Sequence, residues 1–201
     1  MATTRVKKPT KTEEPTPAAP PAEENPKLAL LTDPKAMHEL LGIHGPYDPV
    51  APPIPTKGYL TWWDPGASVQ TLVKKHRELF YLKDFSERYA KDSDSWKWRQ
   101  FRLTPIEPDL TFEDQRKQLK TGDEPAAVRE LVTYLLLRFL VTGERLDLGR
   151  LRTKDLAASG QRMTVWFSPM GFDLASVSDK WRSPGIGLLV LSTPIVKPKR
   201  K

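Results

Sequence analysis

The chain has 201 residues, no cysteine, three histidines and a formal net charge of +7. Without cysteine it cannot form a disulfide, a thiolate zinc site, an iron–sulfur cluster or a cysteine nucleophile, and it suits a reducing compartment. No secretory signal is recognisable at the N-terminus, and the longest apolar stretch, residues 131–141, is interrupted by Arg138 and is shorter than the ~20 residues that span a membrane. The sequence therefore predicts a soluble, cytoplasmic protein without a transmembrane segment.

Most of the positive charge lies at the two ends of the chain. Residues 1–27 have no aromatic side chain and are rich in Pro, Thr, Lys and Glu, so we expect them to form a disordered tail. Residues 197–201, KPKRK, form a basic tail with four basic residues and no acidic one. Residues 28–196 hold 23 basic and 21 acidic residues and are enough for one domain with a packed core. This near-neutral balance argues against a nucleic-acid-binding surface over the whole domain.

Helices are predicted first along the chain. In TDPKAMHELLG, Asp33 is a suitable N-cap, Pro34 occupies the first helical position and Gly42 ends the helix. Residues 43–58 contain five prolines and are expected to form an extended strap. Ser68 can cap a second helix, whose apolar stripe at helical spacing consists of Val69, Leu72, Val73, His76, Leu79 and Phe80.

The stretch SWKWRQFRL, residues 95–103, predicts a strand. A bulge is expected near Arg99 and Gln100, because the apolar residues alternate at Trp96 and Trp98 and then change phase. Two roles stay open. The rings can enter the core, which is the more common case, or they can stack on the bases of single-stranded nucleic acid beside the basic side chains. The similar segment DKWRSPG would take part in the second role as well. The candidate nucleic-acid-binding residues are Trp96, Lys97, Trp98, Arg99, Phe101, Arg102, Trp181 and Arg182.

A short helix follows in LTFEDQRKQLKTG. Thr111 and Asp114 form a capping-box pattern, with Asp in place of Glu or Gln, and Gly122 ends the helix. Glu113 and Asp114 lie in its first turn, where acidic side chains interact favourably with the helix dipole, so we assign this acidic pair a structural role.

The strongest helical pattern is DEPAAVRELVTYLLLRFLVTGERL. The predicted helix covers about residues 125–142, with Asp123 or Glu124 near the N-cap, Pro125 in the first turn and Gly143 after the last residue. Its apolar residues cover more than half of the circumference. We therefore expect a central, largely buried helix.

From residue 145 onwards the pattern changes to short β-prone runs. GRLRTKDL, QRMTVWF, GFDLASV and GIGLLVLS are separated by turns at residues 159–160, 169–171 and 183–185, which is typical of an antiparallel meander. Because helices come first and strands last, the sequence predicts an α+β fold rather than an alternating α/β fold. We expect a single domain over residues 28–196, in which the long helix packs on the C-terminal antiparallel sheet.

The sequence contains no familiar catalytic or ligand-binding pattern. His38, His44 and His76 lack the spacing of a metal site, no G-x-S-x-G sequence is present, and PGIG is not followed by a helical pattern. We therefore predict no catalytic residue, no metal site and no cofactor. Trp62 and Trp63 lie just before a helix and are expected to close one end of the core, with an exposed protein-contact hot spot as the alternative.

The favoured function is a non-catalytic protein-interaction or accessory module, tethered by a flexible N-terminal arm and bound to another protein. The first alternative is a sequence-tolerant single-stranded nucleic-acid-binding protein, to which KPKRK would add weak, non-specific contacts with a polyanion. The second alternative is an enzyme of unrecognised type. An interaction module should expose an apolar patch on its surface. A nucleic-acid binder should expose the rings of residues 96–101. An enzyme should have a deep pocket with converging titratable groups.

Overall fold

The computed structural model of the chain describes residues 26–43, 52–54, 56–81, 97–102 and 105–192. Residues 1–25 of the predicted disordered tail, most of the strap and the basic tail lie outside the described residues. The first described element is a 3₁₀ helix, Pro26–Thr32. Regular structure therefore begins inside the segment that the composition assigns to the tail.

Helix α1 spans Pro34–Leu41 and confirms both of its predicted ends. The Asp33 carboxylate accepts a hydrogen bond from the Ala36 amide, and Gly42 ends the helix in the left-handed conformation with φ of 59°. These signals are local, so the sequence displays them directly.

Helix α2 spans Val69–Lys75 and begins at the predicted cap, since Ser68 Oγ accepts a hydrogen bond from the Thr71 amide at 3.0 Å. The backbone leaves the α conformation at His76, with φ of −125° and ψ of 44°. The predicted apolar stripe continues in a short 3₁₀ helix, Arg77–Leu79, so the α-helix is shorter than the stripe.

Among the described residues, eight strands form two four-stranded sheets. Sheet A has the order β1-β2-β8-β3 and is antiparallel, and sheet B has the order β6-β5-β4-β7. The strands are β1 Tyr59–Asp64, β2 Lys97–Arg102, β3 Asp123–Pro125, β4 Arg150–Leu156, β5 Arg162–Ser168, β6 Gly171–Val177, β7 Ile186–Leu188 and β8 Val190–Ser192.

The bulge predicted in SWKWRQFRL is wrong. Successive residues of β2 lie opposite successive residues of β1 without a slip, starting from Lys97 opposite Asp64. The sequence changes phase because β2 is buried on both faces, with Trp98 on one side and Phe101 on the other. A strand that is covered on both faces does not need a strict alternation of apolar residues.

Helix α3 spans Phe112–Lys117 and begins at the predicted cap, since Thr111 Oγ1 accepts a hydrogen bond from the Asp114 amide at 3.1 Å. The helix ends at Lys117 rather than next to Gly122. Gly122 instead adopts a left-handed conformation, with φ of 88°, in the turn that leads into β3.

Helix α4, Val128–Thr142, is largely buried, as predicted, and is followed by Gly143 with φ of 76°. Its predicted start is wrong, because Asp123–Pro125 forms β3 and pairs with β8. A distant carboxylate caps the true start: Asp155 on β4 accepts a hydrogen bond from the Val128 amide at 2.7 Å. Sequence spacing cannot reveal a cap that comes from another strand.

Strands β4, β5 and β6 form the predicted antiparallel meander. The prediction for the last run is wrong, because GIGLLVLS divides at Leu189 into β7, which pairs parallel to β4, and β8, which joins sheet A. β6 and β7 are the two edge strands of sheet B, so residues 178–185, which connect them, cross the sheet from one edge to the other. They cross its outer face, the face turned away from α4, where Arg152 of β4 contacts them. We call residues 178–185 the crossing segment.

Helix α4 joins the two sheets into one core. The ring of Tyr134 lies 4.5 Å from the Phe101 ring and 5.7 Å from the Trp62 ring, both of sheet A. Phe139 packs edge-on against Phe167 of sheet B at 5.4 Å. The architecture is the predicted single α+β domain, with one face of each sheet packed on the same helix.

Candidate binding groove

The candidate rings on β2 lie in the core. Trp98 is 8% exposed and packs edge-on against Trp63 at 5.2 Å, and Phe101 is 1% exposed. Trp96 lies outside the described residues. Because Trp98 and Phe101 are buried, their rings offer no stacking surface to a nucleic-acid base in this fold.

The basic residues of β2 have different surroundings. Lys97 is exposed and Arg102 is half-buried. Arg99 is turned towards α4, where its guanidinium forms an ion pair with Glu130 and its Nε lies 3.5 Å from Asp64 Oδ2. These three side chains therefore form no continuous row of unpaired cations.

Asp64 is the centre of a buried ion cluster between sheet A and α4. Arg129 donates two hydrogen bonds to its carboxylate, at 2.8 and 2.7 Å. Burial raises the pKa of Asp64, but the hydrogen bonds and charge of Arg129 outweigh it, so this pKa lies below its usual range. Both carboxylates of the cluster, Asp64 and Glu130, already bind arginines, which makes the cluster a stabilising element rather than a ligand site.

Trp62 and Trp63 are buried on opposite faces of β1. Trp62 stacks on Phe101, with ring centres 5.6 Å apart, and Trp63 Nε1 donates a hydrogen bond to His38 Nε2 at 3.2 Å. Their burial fits the expected role of closing the core. Neither ring is available to a partner protein in this fold.

Trp181 and Arg182 are exposed on the crossing segment. Trp181 is 53% exposed and Arg182 lies 3.7 Å from Asp114 Oδ2. Trp181 borders a surface groove of about 320 Å³, which we call the Trp groove. Its lining residues are Asp147, Gly149, Arg150, Trp166, Trp181, Ser183, Gly185 and Ile186.

The backbone of Trp181 is held from beneath by Arg152. Arg152 is fully buried on the outer face of β4, and its guanidinium donates hydrogen bonds to the carbonyl oxygens of Trp181 and Leu110 and to Gln115 Oε1. Burial lowers the pKa of Arg152, yet a guanidinium keeps its proton in proteins. The backbone that carries the exposed indole is thus hydrogen-bonded to a fully buried side chain.

The crossing segment is anchored on both sides of Trp181. Arg162 donates hydrogen bonds to both carboxylate oxygens of Asp179 at 3.0 Å, and its guanidinium lies 4.0 Å from the centre of the Phe112 ring. The Ser183 carbonyl accepts a hydrogen bond from the Asp109 amide at 2.9 Å. Trp181 is therefore presented between two attachment points.

Trp166 adds a second indole to the groove. It points outward from β5 because the alternating neighbours Val165 and Phe167 point into the core, and it is 37% exposed. The Arg150 guanidinium lies 5.6 Å from the ring centre and donates a hydrogen bond to Asp173 Oδ2 at 2.7 Å. The cation next to this ring is therefore already neutralised by a carboxylate.

Asp147 supplies the carboxylate of the groove. Its Oδ1 accepts a hydrogen bond from the Gly149 amide at 3.2 Å, and within the described ranges no cation forms an ion pair with it. The lining combines two indole rings, one neutralised guanidinium and one uncompensated negative charge.

A second cavity, the apolar pocket, adjoins the Trp groove and has a volume of about 350 Å³. Gly149 and Gly185 line both cavities, and a Cβ atom on Gly149 would come within 3.0 Å of the Gly185 carbonyl oxygen. Gly149 therefore allows the two backbone segments to lie close together between the cavities. The apolar pocket is lined by Pro105, Ile106, Pro108, Leu148, Gly149, Pro184, Gly185 and Gly187.

Sequence reasoning found Trp181 but missed Trp166 and Asp147. The alternation in QRMTVWF separates Thr164 and Trp166 from Val165 and Phe167, and this signal could have marked Trp166 as outward-facing. No local signal marks Asp147, because its place in the groove depends on the path of the crossing segment.

No family model, curated protein or solved structure matches the chain. Within residues 26–43, 52–54, 56–81, 97–102 and 105–192, no helix has the length and apolar character needed to cross a membrane. The same residues contain no group of three or more His, Cys, Asp or Glu side chains placed to hold a metal ion.

Proposed function

We propose that the protein is a non-catalytic interaction module that binds a short, extended, proline-containing segment of another protein in the Trp groove. The observation that carries the proposal is Trp181, a 53% exposed indole on a backbone that the buried Arg152 fixes. Tryptophan is one of the side chains in which the binding energy of protein contacts is most often concentrated. The cysteine-free sequence favours the cytoplasm as the place of this activity.

The two indoles suit proline. Proline-rich segments dock in aromatic-lined grooves, because their polyproline II conformation is already extended and loses little entropy on binding. Trp166 and Trp181 supply flat apolar surface, and a groove of about 320 Å³ lies at the small end of ligand sites. It accommodates one or two side chains rather than a folded partner.

The charges of the groove favour a peptide over single-stranded nucleic acid. Strands of nucleic acid need unpaired cations beside the stacking rings. In the described lining, Arg150 is paired with Asp173, and Asp147 would repel a phosphate. Asp147 and Arg150 are also the ionisable side chains of this lining, and a guanidinium stays protonated in proteins, so this lining offers no acid–base pair for catalysis.

The proposal is tested by isothermal titration calorimetry of the full-length protein with a short proline-rich peptide that contains one lysine. We expect micromolar binding that weakens about tenfold or more in Trp181→Ala, because this change removes a central contact. The matched control is Tyr81→Ala, which removes a 59% exposed ring outside the groove and should leave the affinity unchanged.

A single-stranded oligonucleotide of similar length is titrated in parallel. Binding of the oligonucleotide without binding of the peptide would assign the groove to nucleic acid and overturn the proposal. Equal losses of peptide affinity in Trp181→Ala and Tyr81→Ala would also overturn it, since they would show that the Trp groove is not the site.

A further inference from the structure

We infer that Asp147 makes the Trp groove selective for segments in which a lysine or arginine stands next to the proline, because the cation of that residue pairs with the Asp147 carboxylate. This inference rests on the proposed function, since it requires that the groove binds proline-containing segments. It adds the charge of the partner. A basic segment is accepted, and an otherwise identical acidic segment is rejected.

The Asp147 carboxylate is exposed and is held in place by its own turn. Its Oδ1 accepts a hydrogen bond from the Gly149 amide at 3.2 Å. Gly149 has a φ of 64°, a left-handed conformation that favours glycine. The Arg150 amide donates a hydrogen bond to the Gly185 carbonyl oxygen at 3.0 Å. The turn that carries the carboxylate is therefore bonded to the crossing segment, which also carries Trp181.

The cation of the groove lining is already paired. Arg150 forms an ion pair with Asp173 at 2.7 Å, and among the described residues no cation forms an ion pair with Asp147. Lys180 and Arg182 are exposed on the crossing segment but do not belong to the groove lining. A cation on the ligand would thus form an ion pair with Asp147 without breaking an existing one, and a ligand carboxylate would be repelled.

The charge of the whole chain favours the opposite selectivity. The formal net charge is +7, so long-range attraction alone would favour an acidic segment over a basic one. A preference for lysine therefore reports a local negative charge at the binding site rather than the net charge of the protein.

The exposure of Asp147 limits the size of the effect. Ion pairs between exposed side chains change an equilibrium constant by up to about fivefold. We expect a lysine next to the proline to strengthen binding about threefold relative to glutamine, and a glutamate to weaken it about threefold. This range of about tenfold should shrink in about 1 M salt, where charges are screened beyond ~3 Å.

The test measures the binding of three peptides to full-length proteins by isothermal titration calorimetry in about 0.05 M salt. The peptides are proline-rich and differ in one residue next to a proline, which is lysine, glutamine or glutamate. The proteins are the wild type, Asp147→Asn, Asp147→Lys and Glu144→Lys. Asparagine can still accept the hydrogen bond from the Gly149 amide, so Asp147→Asn removes the charge and keeps the turn.

Glu144→Lys is the matched control. Glu144 is exposed, lies three residues before Asp147 and is outside the groove lining. Its replacement adds the same two positive charges as Asp147→Lys. We expect the wild type and Glu144→Lys to bind the lysine peptide most tightly and the glutamate peptide most weakly. In Asp147→Asn lysine should lose its advantage over glutamine, and in Asp147→Lys the order should be reversed.

The outcomes separate this inference from the proposed function. If the wild type binds none of the three peptides, or if Trp181→Ala binds them as tightly as the wild type, the proposed function fails and the inference fails with it. If Trp181→Ala weakens all three but the wild type does not prefer lysine, the inference alone is overturned. A lysine preference that persists undiminished in Asp147→Asn, or an order that is also reversed in Glu144→Lys, would overturn it as well.

Discussion

Sheet A and sheet B both place tryptophans beside arginines, but the two sheets use them in opposite ways. Trp62 and Trp63 of sheet A are covered on both faces, by Tyr134 of α4 on one side and by His38 of α1 on the other. In sheet B, α4 covers the inner face, and the crossing segment covers the outer face over Arg152. The remaining part of that outer face leaves Trp166 partly exposed next to Trp181.

This difference shows that aromatic and basic residues in alternation do not distinguish a core strand from a binding surface. The alternation is stronger in SWKWRQFRL than around Trp166, yet Trp98 is in the core and Trp166 is at the surface. The deciding factor is what packs on each face of the sheet.

The largest expected difference in the free energy of unfolding is between replacing a buried tryptophan and replacing an exposed one. Trp62→Ala should lower the free energy of unfolding by about 4 kcal/mol, because it leaves a cavity between sheet A and α4. Trp181→Ala should lower it by no more than about 0.5 kcal/mol, because the indole is half exposed. Urea unfolding of both variants measures the difference, and equal losses would refute the assignment of Trp181 to a surface groove.

The next largest difference is expected between two ion pairs, Arg129–Asp64 at sheet A and Arg150–Asp173 in sheet B. Arg129→Met should cost about 3 kcal/mol of unfolding free energy, because it leaves the fully buried Asp64 carboxylate without its two strongest hydrogen bonds. The matched change Arg150→Met should cost less than about 1 kcal/mol, since Arg150 and Asp173 are both partly exposed. Urea unfolding again gives both values, and a larger loss for Arg150→Met would contradict the comparison.

Local signals explain why much of the fold could be predicted from the sequence. Asp33, Ser68 and Thr111 cap helices through amides only three residues away, and Gly143 ends α4 through its own backbone conformation. The start of α4 could not be predicted in this way. Glu130 binds the Ala127 amide locally, but the Val128 amide is bound by Asp155 of β4, 27 residues further along the chain.

The candidate site was less predictable because it depends on long-range pairing. The run GIGLLVLS looks like one strand, and its division between the two sheets follows from its partners, β4 and β2. Because β7 pairs with β4 at the far edge of sheet B, the crossing segment lies over this sheet, and Trp181 lies at the groove. The sequence indicated Trp181 through its basic neighbours, but Arg182 lies outside the groove lining.

The third effect tests how the exposed indole is held. Arg152→Met should weaken peptide binding about fivefold without changing any lining residue, because Trp181 loses the hydrogen bond to its carbonyl. It should also cost about 2 kcal/mol of unfolding free energy through the other lost hydrogen bonds. Lys154→Met, on the same strand but half exposed, is the matched control and should leave the affinity unchanged. Unchanged affinity in a folded Arg152→Met protein would show that the backbone of Trp181 needs no such support.

The smallest expected effect is a change of the free energy of unfolding with pH, which comes from the histidines His38 and His76. Burial holds the pKa of His38 below its usual value of 6.5, and Trp63 Nε1 donates a hydrogen bond to His38 Nε2, which therefore carries no proton. Because the folded state favours the neutral ring, its contribution to stability is complete above pH 6.5. It is lost as the pH falls through 6.5 towards the lower pKa of the folded protein. Burial lowers the pKa of His76 as well, so His76 adds a contribution of the same sign.

Unfolding free energies at about pH 7.5 and about pH 5 measure this loss, since the interval contains the pKa of an unfolded histidine. His38→Gln should reduce the difference between the two pH values, because an amide oxygen can accept the hydrogen bond from Trp63 without titrating. His76→Gln should remove the other part, and the double variant should show little pH dependence over this interval, because Asp64 loses its contribution only below its usual pKa of 3.8. An unchanged pH dependence in the double variant would mean that neither histidine is held neutral by the packing around Trp63 and α1.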